Sequence, residues 1–250
     1  MIKLGLIGFP LGHSFSKNYY LSKFERENIT GIDYDLYSLP NIEEFADLIK
    51  KDSRFHGFNV TIPYKQSVLK FVTALSVEAE EIGAVNCLTI HRRDDTTIAI
   101  KGYNTDAFGF QKSLEPLLTD KHNRALVLGN GGAARAVCYV LNKLDIPYLL
   151  VSRNRENGDI TYSDLDQKII EDHQIIINCS PVGTFPNADE CPNIPYEFIT
   201  ADHLLYDLIY NPEETLFLQN GKERHAVTKN GYEMLVLQAE KNWQIWKETF

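Results

Sequence analysis

The stretch VLGNGGAARAV, residues 127–137, limits what this chain can fold into more than any other feature. Gly129, Gly131 and Ala134 fill the three positions of a G-x-G-x-x-A turn, with an apolar run before it and a run of helix formers after it. Strand, tight turn and helix in that order present bare backbone and a helix N-terminus to whatever lies at the turn, which suits a pyrophosphate. A merely tight βα turn would carry the same letters. The position of the turn matters as much as its content. A βαβ region that starts at residue 124, after a full α/β pattern has already run its course, predicts two domains.

The earlier pattern begins with a strand over 2–9 and a helical stretch from Ser16 to Asn28, followed by a strand over 32–39. Asn41 with Glu44 three residues on reads as a capping box, opening a helix with Ile42, Phe45, Leu48 and Ile49 on one face. FHGFNVTI is the third strand, Val77–Ile82 is helical, and AVNCLTIH and TIAIKGYN are two strands around an RRDD hairpin turn. Beyond Thr105 the strands PYLLVSRN, HQIIINCS and HLLYDLIY are short Ile/Leu/Val runs, as in parallel strands buried on both faces. The last helix runs from Tyr232 to Glu248. The expected fold class is α/β: a domain of residues 1–104 plus 229–250 and a Rossmann-like domain of residues 105–228, flanking a cleft.

Composition excludes several classes. No stretch of about 18 apolar residues exists to span a membrane, and MIKLGLIGFP is too short and too broken by Gly and Pro for a signal peptide. The four cysteines show neither C-x-x-C nor framework spacing, and read as small hydrophobes in a reducing cytoplasm. The seven histidines lack ligand spacing, so no metal is expected. A net charge of −9 without a basic stripe argues against nucleic acid. An anionic ligand must then be held by a few local cations.

Two such cations stand out. The strand after the glycine turn should end in a carboxylate if NAD were the cofactor, to accept from the ribose 2′-hydroxyl. Here it ends in Ser152-Arg153-Asn154-Arg155. Guanidinium meets a 2′-phosphate bidentately, which favours NADP, although plain surface arginines would look the same. The other cation is Lys65. Pro63 stops the strand GFNVTI, and an ammonium follows two residues later. A solvated loop lysine is the ordinary explanation. Asp106 likewise reads as an acid at a helix start, and Ser14 and Ser16 as N-capping residues. Asn86 could be a hydrogen-bonded core residue, and Gln238 could face solvent.

GFPLGHSFS, GFNVTIPYK, GAVNCL, GYNTDAFGF, VLGNGGAARAV, INCSPVGT, YDLIYNP and GYEMLVLQA, in that order from residue 8 to 239, together resemble shikimate dehydrogenase. The resemblance implies NADPH-dependent reduction of 3-dehydroshikimate to shikimate, a step of chorismate and aromatic amino acid biosynthesis. It implies Lys65 and Asp106 as the catalytic pair. Ser14 and Ser16 would hold the substrate carboxylate; Thr61, Asn86 and Gln238 its hydroxyls and carboxylate region, with Tyr210 at the cleft. Gly129, Asn130, Gly131, Gly132 and Ala133 would form the phosphate turn, with Ser152, Arg153 and Asn154 beyond it, and Leu208 and Gly231 would line the nicotinamide.

The chain departs from the family in places. Ser152-Arg153-Asn154 stands where Asn-Arg-Thr is usual, RENGDITYSDLD leaves little room for the helix that normally follows, and Gly183-Thr184 replaces Gly-Met. Two rival readings are an NAD-preferring quinate/shikimate dehydrogenase and a non-catalytic sensor of a shikimate-type ligand. A small-molecule partner and a monomer or homodimer are expected.

Overall fold

The computed structural model describes every residue except 13, 93–96 and 250. The chain divides into two compact units, Met1–Thr105 with Ala239–Phe250, and Asp106–Gln238.

The first unit is built on a mixed sheet of order β2-β1-β3-β5-β6-β4. Its strands are β1 (Ile2–Gly8), β2 (Ile32–Ser38), β3 (Phe55–Val60), β4 (Ala74–Leu75), β5 (Cys87–Arg92) and β6 (Ile98–Tyr103). β1 pairs in parallel with β2 on one side and β3 on the other, while β5 runs antiparallel to β3 and β6. The crossovers are α1 (Phe15–Arg26) and α2 (Glu44–Lys51), with α3 (Val77–Ile82) preceding β5. The chain therefore reverses its strand order between β1 and β3, and in an open parallel sheet that reversal leaves a crevice at the carboxyl ends of the two strands.

One detail differs from the sequence reading. α2 starts at Glu44, and the Asn41 side chain accepts from Glu43 N–H in a preceding turn, so no capping box forms there. The short stretch Asn41–Glu43 prefers a self-bonded Asx turn to helix. The RRDD hairpin turn falls mostly outside the described residues.

The second unit is a wholly parallel sheet, β12-β11-β10-β7-β8-β9. Its strands are β7 (Ala125–Leu128), β8 (Tyr148–Ser152), β9 (Ile160–Thr161), β10 (Ile175–Asn178), β11 (Leu204–Asp207) and β12 (Val227–Lys229). Read from β9, the order is 3-2-1-4-5-6 of a dinucleotide-binding fold, with the reversal between β7 and β10. α4 (Asp106–Leu114) opens the unit, and α5 (Gly132–Lys143), α6 (Gln167–Asp172) and α7 (Leu216–Lys222) connect its strands. β7, β10 and β11 are buried at every residue, which accounts for their near-unbroken apolar sequence.

α8 (Tyr232–Lys247) closes the chain. From Ala239 onward it belongs to the first unit, where Ala239, Trp243 and Trp246 pack with Leu4, Leu6, Tyr20, Phe24 and Tyr34. Trp246 is fully buried and donates its indole N–H to Leu88 O at 2.9 Å. A Cβ at Gly57 would meet that indole nitrogen at 2.3 Å, so β3 needs glycine there. Truncating such a tryptophan typically costs about 3–5 kcal/mol. Among the described residues, no helix is long and apolar enough to cross a membrane.

Candidate functional site

In the first unit the loops after β1 and β3 lie against each other. Thr61 N–H donates to Ile7 O at 2.9 Å and Phe9 N–H to Ile62 O at 3.1 Å. A Cβ at Gly8 would meet Thr61 Cγ2 at 2.5 Å, so the close approach of these loops requires glycine. Thr61 O then accepts from Tyr64 N–H, closing a turn that delivers Lys65, whose own carbonyl accepts from Val85 N–H at 2.7 Å. The lysine that follows the strand is thus half-buried on a backbone fixed at both ends, and the fully solvated loop lysine is excluded.

Ser14 is the N-cap of α1 by position, yet its hydroxyl makes no cap bond. Ser16, half-buried in the first turn of α1, lies near the fully buried Tyr34, and its hydroxyl partly offsets the rise that burial gives the phenol's pKa. Tyr34 O–H donates to Asn59 Oδ1 at 2.8 Å, and Asn59 Nδ2 donates to Asn86 O at 3.4 Å. Asn86, 3 % exposed, receives Thr105 N–H on Oδ1 at 2.8 Å and gives Nδ2–H to Thr105 Oγ1 at 3.0 Å. Thr105 O–H in turn donates to Asn242 Oδ1 at 2.6 Å. One buried chain of polar groups therefore runs from Tyr34 in β2 to Asn242 in α8, with its members satisfying one another as burial demands. Burial holds the Tyr20 and Tyr34 hydroxyls protonated, their pKa values well above the ordinary tyrosine range, with the Tyr34 phenol and Cys87 thiol adding to the rise at Tyr20 and the Cys87 thiol to that at Tyr34.

In the second unit, Asp106 follows Thr105 directly, as the first residue of α4, and is 7 % exposed. At an N-terminus the helix dipole favours an acidic side chain. Gln238 is equally buried, with its amide on Leu235 O and its Cβ 3.2 Å from a Cβ placed on Gly109. It does not face solvent. Tyr210, at 38 % exposure, lies in the loop after β11.

The glycine turn has two unlike glycines. Gly129 sits at φ +101°, a conformation that glycine alone adopts readily, and a Cβ there would lie 3.2 Å from Ser180 N. Gly131 is the N-cap of α5 with ordinary φ, and a Cβ on it would touch nothing within 4 Å. Protein packing does not need glycine at 131; the bare Cα leaves room outside the protein, facing the first N–H groups of α5 from Gly132 and Ala133. The Asn130 side chain points elsewhere, donating to Asn157 O at 3.1 Å.

After β8, Ser152 Oγ bonds Asn154 O and accepts from Asn154 N–H, so the hydroxyl shapes the loop and leaves Arg153 displayed at the surface. No α-helix lies between β8 and β9. Residues 155–157 and 162–164 form single 3₁₀ turns, the second closed by a capping box between Thr161 and Asp164. Arg155 comes within 3.9 Å of Asp164. Leu208 N–H donates to Asn178 O at 3.0 Å, and Gly231 N–H to Ile209 O at 3.0 Å. A Cβ at Gly231 would stand 2.1 Å from Leu208 O, so the two residues meet backbone to backbone.

Sequence reasoning passed over Asn59, Thr105 and Asn242 in the first unit and Asn178 and Asp207 in the second. A signal existed for the last two: IIIN and LLYD are strands whose only strongly polar residue is the final one, at the end where ligands bind in such sheets.

Comparison with known proteins agrees with this architecture. The family model for the shikimate dehydrogenase substrate binding domain matches residues 6–88. The shikimate dehydrogenase (NADP(+)) of Methanococcus aeolicus is 35 % identical over 97 % of this chain and 91 % of its own length. The corresponding protein of Clostridium beijerinckii is 39 % identical over 98 % and 91 %. The crystal structure of shikimate 5-dehydrogenase from Thermus thermophilus with NADP(H) and shikimate superposes with a TM-score of 0.85 at 26 % identity, covering 99 % of this chain and 94 % of that one. The chain belongs to the shikimate dehydrogenase family.

Proposed function

We propose that this protein is an NADP-dependent shikimate dehydrogenase, reducing the ketone of 3-dehydroshikimate to the alcohol of shikimate. The observation that carries the reading is Gly131. At the strand-order reversal of a 3-2-1-4-5-6 sheet, a residue with no packing reason to be glycine leaves open the N-terminus of a twelve-residue helix with no acidic residue in its first turn. A pyrophosphate fits that opening. Arg153, beyond β8, supplies the cation for a 2′-phosphate where an NAD enzyme would carry an acid. Full-length similarity to enzymes named for shikimate and NADP(+) supports the substrate.

NADPH, when bound, supplies the hydride. The residues of the chain have to do the rest. Hydride arrival at a carbonyl carbon builds negative charge on the oxygen, and Lys65 is assigned to stabilise that oxygen and give it a proton, acting as base in the reverse direction. Asp106 is assigned to orient the ammonium and balance its charge. Ser14 and Ser16 are assigned to the substrate carboxylate, which hydroxyls and helix N–H groups can hold without a formal cation. Thr61, Asn86 and Gln238 are assigned to its hydroxyls and carboxylate region, and Tyr210 to the edge of the site.

Steady-state assay of the purified chain with shikimate and quinate, each with NADP+ and NAD+, tests the reading. Shikimate with NADP+ should give the highest kcat/KM. Replacing Arg153 by Ser should lower kcat/KM for NADP+ by roughly tenfold or more, the loss of a charge-assisted contact, and leave NAD+ nearly unchanged. Turnover with NAD+ and quinate alone would transfer the assignment to the quinate-type activity. Binding of shikimate without any turnover would make the chain a sensor.

A further inference from the structure

We infer that Asp207 is a positioning residue for the nicotinamide end of the cofactor, holding the loop between β11 and α7 and the end of β10 in one arrangement. The inference deepens the functional reading above and rests on its assignment of Leu208 and Gly231.

Asp207 ends β11 and is fully buried. Its carboxylate has three donors. Oδ1 accepts from Asn178 Nδ2 at 3.0 Å and from Ile209 N–H at 3.0 Å, and Oδ2 accepts from Thr215 O–H at 2.6 Å. Ile209 N–H and Thr215 O–H come from the two ends of the loop between β11 and α7, and Asn178 from the end of β10. Asn178 ends β10, and its Oδ1 receives Ser180 N–H at 3.0 Å and Ser180 O–H at 2.7 Å. Ser180 is the residue against which Gly129 packs so closely that a Cβ would crowd it. Ile209 lies between Leu208 and Tyr210, and its carbonyl receives Gly231 N–H. Thr215 is the N-cap of α7. The carboxylate therefore connects the phosphate turn, through Ser180 and Asn178, to the backbone of residues 208–210 and so to Gly231. It touches none of the places where cofactor would lie; it acts through the loops that do.

A buried anion with no counter-charge is expensive unless it is kept for a reason. None of the interactions that shift Asp207 comes from a cation, and burial raises its pKa to about 6 despite the three donors. The titratable groups that feel its charge are the Cys179 thiol, after β10, and the Tyr196 phenol, before β11; both are pushed up and stay neutral. Protonation of Asp207 removes an acceptor from a ring of donors, and only the Thr215 hydroxyl can turn to receive the new proton. The loop arrangement should accordingly loosen below about pH 6.

The test uses Thr215→Val, Thr215→Ser and Asp207→Asn in the full chain, with NADPH binding read by direct fluorescence titration alongside steady-state kinetics. Thr215→Val should weaken NADPH binding and raise its KM by about tenfold, the ratio that a lost hydrogen bond to a charged group implies, with the KM for shikimate unchanged; Thr215→Ser should restore both. In the wild type, NADPH binding should weaken on acidification through about pH 6 more than in Asp207→Asn. The cofactor's 2′-phosphate titrates in the same range but is common to both proteins, so the difference between them isolates Asp207. Wild-type NADPH affinity in both Thr215→Val and Asp207→Asn, with the same pH profile, would overturn the inference. A wild-type chain that fails to bind NADPH would overturn the functional reading beneath it.

Discussion

The two units build their ends of the chemistry from different materials. The second unit offers mostly backbone: a glycine with space above it, a helix N-terminus, and Leu208 against Gly231 at a distance only two backbones can reach. The first offers side chains, held by a buried chain of bonds that joins residues 34, 59, 86, 105 and 242. A dinucleotide presents the same phosphates in every enzyme that uses it, so generic N–H groups suffice. A small polyhydroxylated ring has to be told from its isomers, which takes donors and acceptors at fixed positions. The proposed function assigns the proton chemistry to the first unit as well, on Lys65.

The sharpest way to break that division is Lys65→Ala. If side chains of the first unit carry the chemistry, kcat should fall by at least about 10²-fold, toward 10⁴-fold, while the affinity for shikimate, measured by equilibrium titration, stays within a few-fold. Near-normal kcat would remove the lysine from the reaction and leave the half-buried turn at 61–65 without a catalytic purpose.

A smaller effect should separate two glycines of the second unit. Gly131→Ala adds a methyl that meets no protein atom, so thermal stability should hold or rise slightly, since alanine orders the unfolded chain. The KM for NADP+ should rise by roughly tenfold because the methyl occupies ligand space. Gly231→Ala adds a methyl 2.1 Å from Leu208 O and should cost about 2–3 kcal/mol or more of stability through overpacking. Equal loss of stability in the two variants would mean that Gly131 is structural after all.

The same contrast decides how much could be read from sequence. The glycine turn, the Arg153 loop and the parallel strands were legible because backbone chemistry is encoded locally: a glycine, a helix former and an apolar run stand next to each other in the chain. The shortened segment after Asn154 was legible for the same reason, and it folds as two single turns. Asn86 could be singled out only with its purpose left open, because the sequence does not say that it faces Thr105, nineteen positions away, or that Thr105 reaches Asn242. Long-range pairing also decides the two-residue strands β4 and β9, which have no periodicity to betray them. Asn41 failed in the opposite way. Its spacing to Glu44 fits a cap, but the same side chain can bond its own backbone two residues on, and that local alternative won.

The smallest effect concerns the other end of the second sheet, where no ligand is assigned. Two similar turns precede strands there. Thr119 N–H donates to His122 Nδ1 at 3.0 Å just before β7, and Thr200 N–H donates to His203 Nδ1 at 3.0 Å just before β11. An imidazole that accepts on Nδ1 must carry its proton on Nε2, so the bond itself selects the neutral ring. For His122, burial lowers the pKa below the ordinary histidine range; His203 lowers it further, while bonds to the backbone of Asp202 and Leu117 and the charge of Asp202 oppose the shift. A histidine with a depressed folded pKa contributes stability that is whole above about pH 6.5 and is lost as pH falls toward the folded value, because the unfolded chain takes up the proton first. Asp207, its folded pKa raised to about 6, acts in the opposite sense over part of the same window. A difference measurement removes it. Asn at position 122 can accept the Thr119 N–H without titrating, so the stability gap between wild type and His122→Asn, from urea midpoints at pH 7.5, 6.5 and 5.5, should move in favour of the variant as pH falls. A gap that stays constant across those three values would show that His122 does not titrate with unfolding.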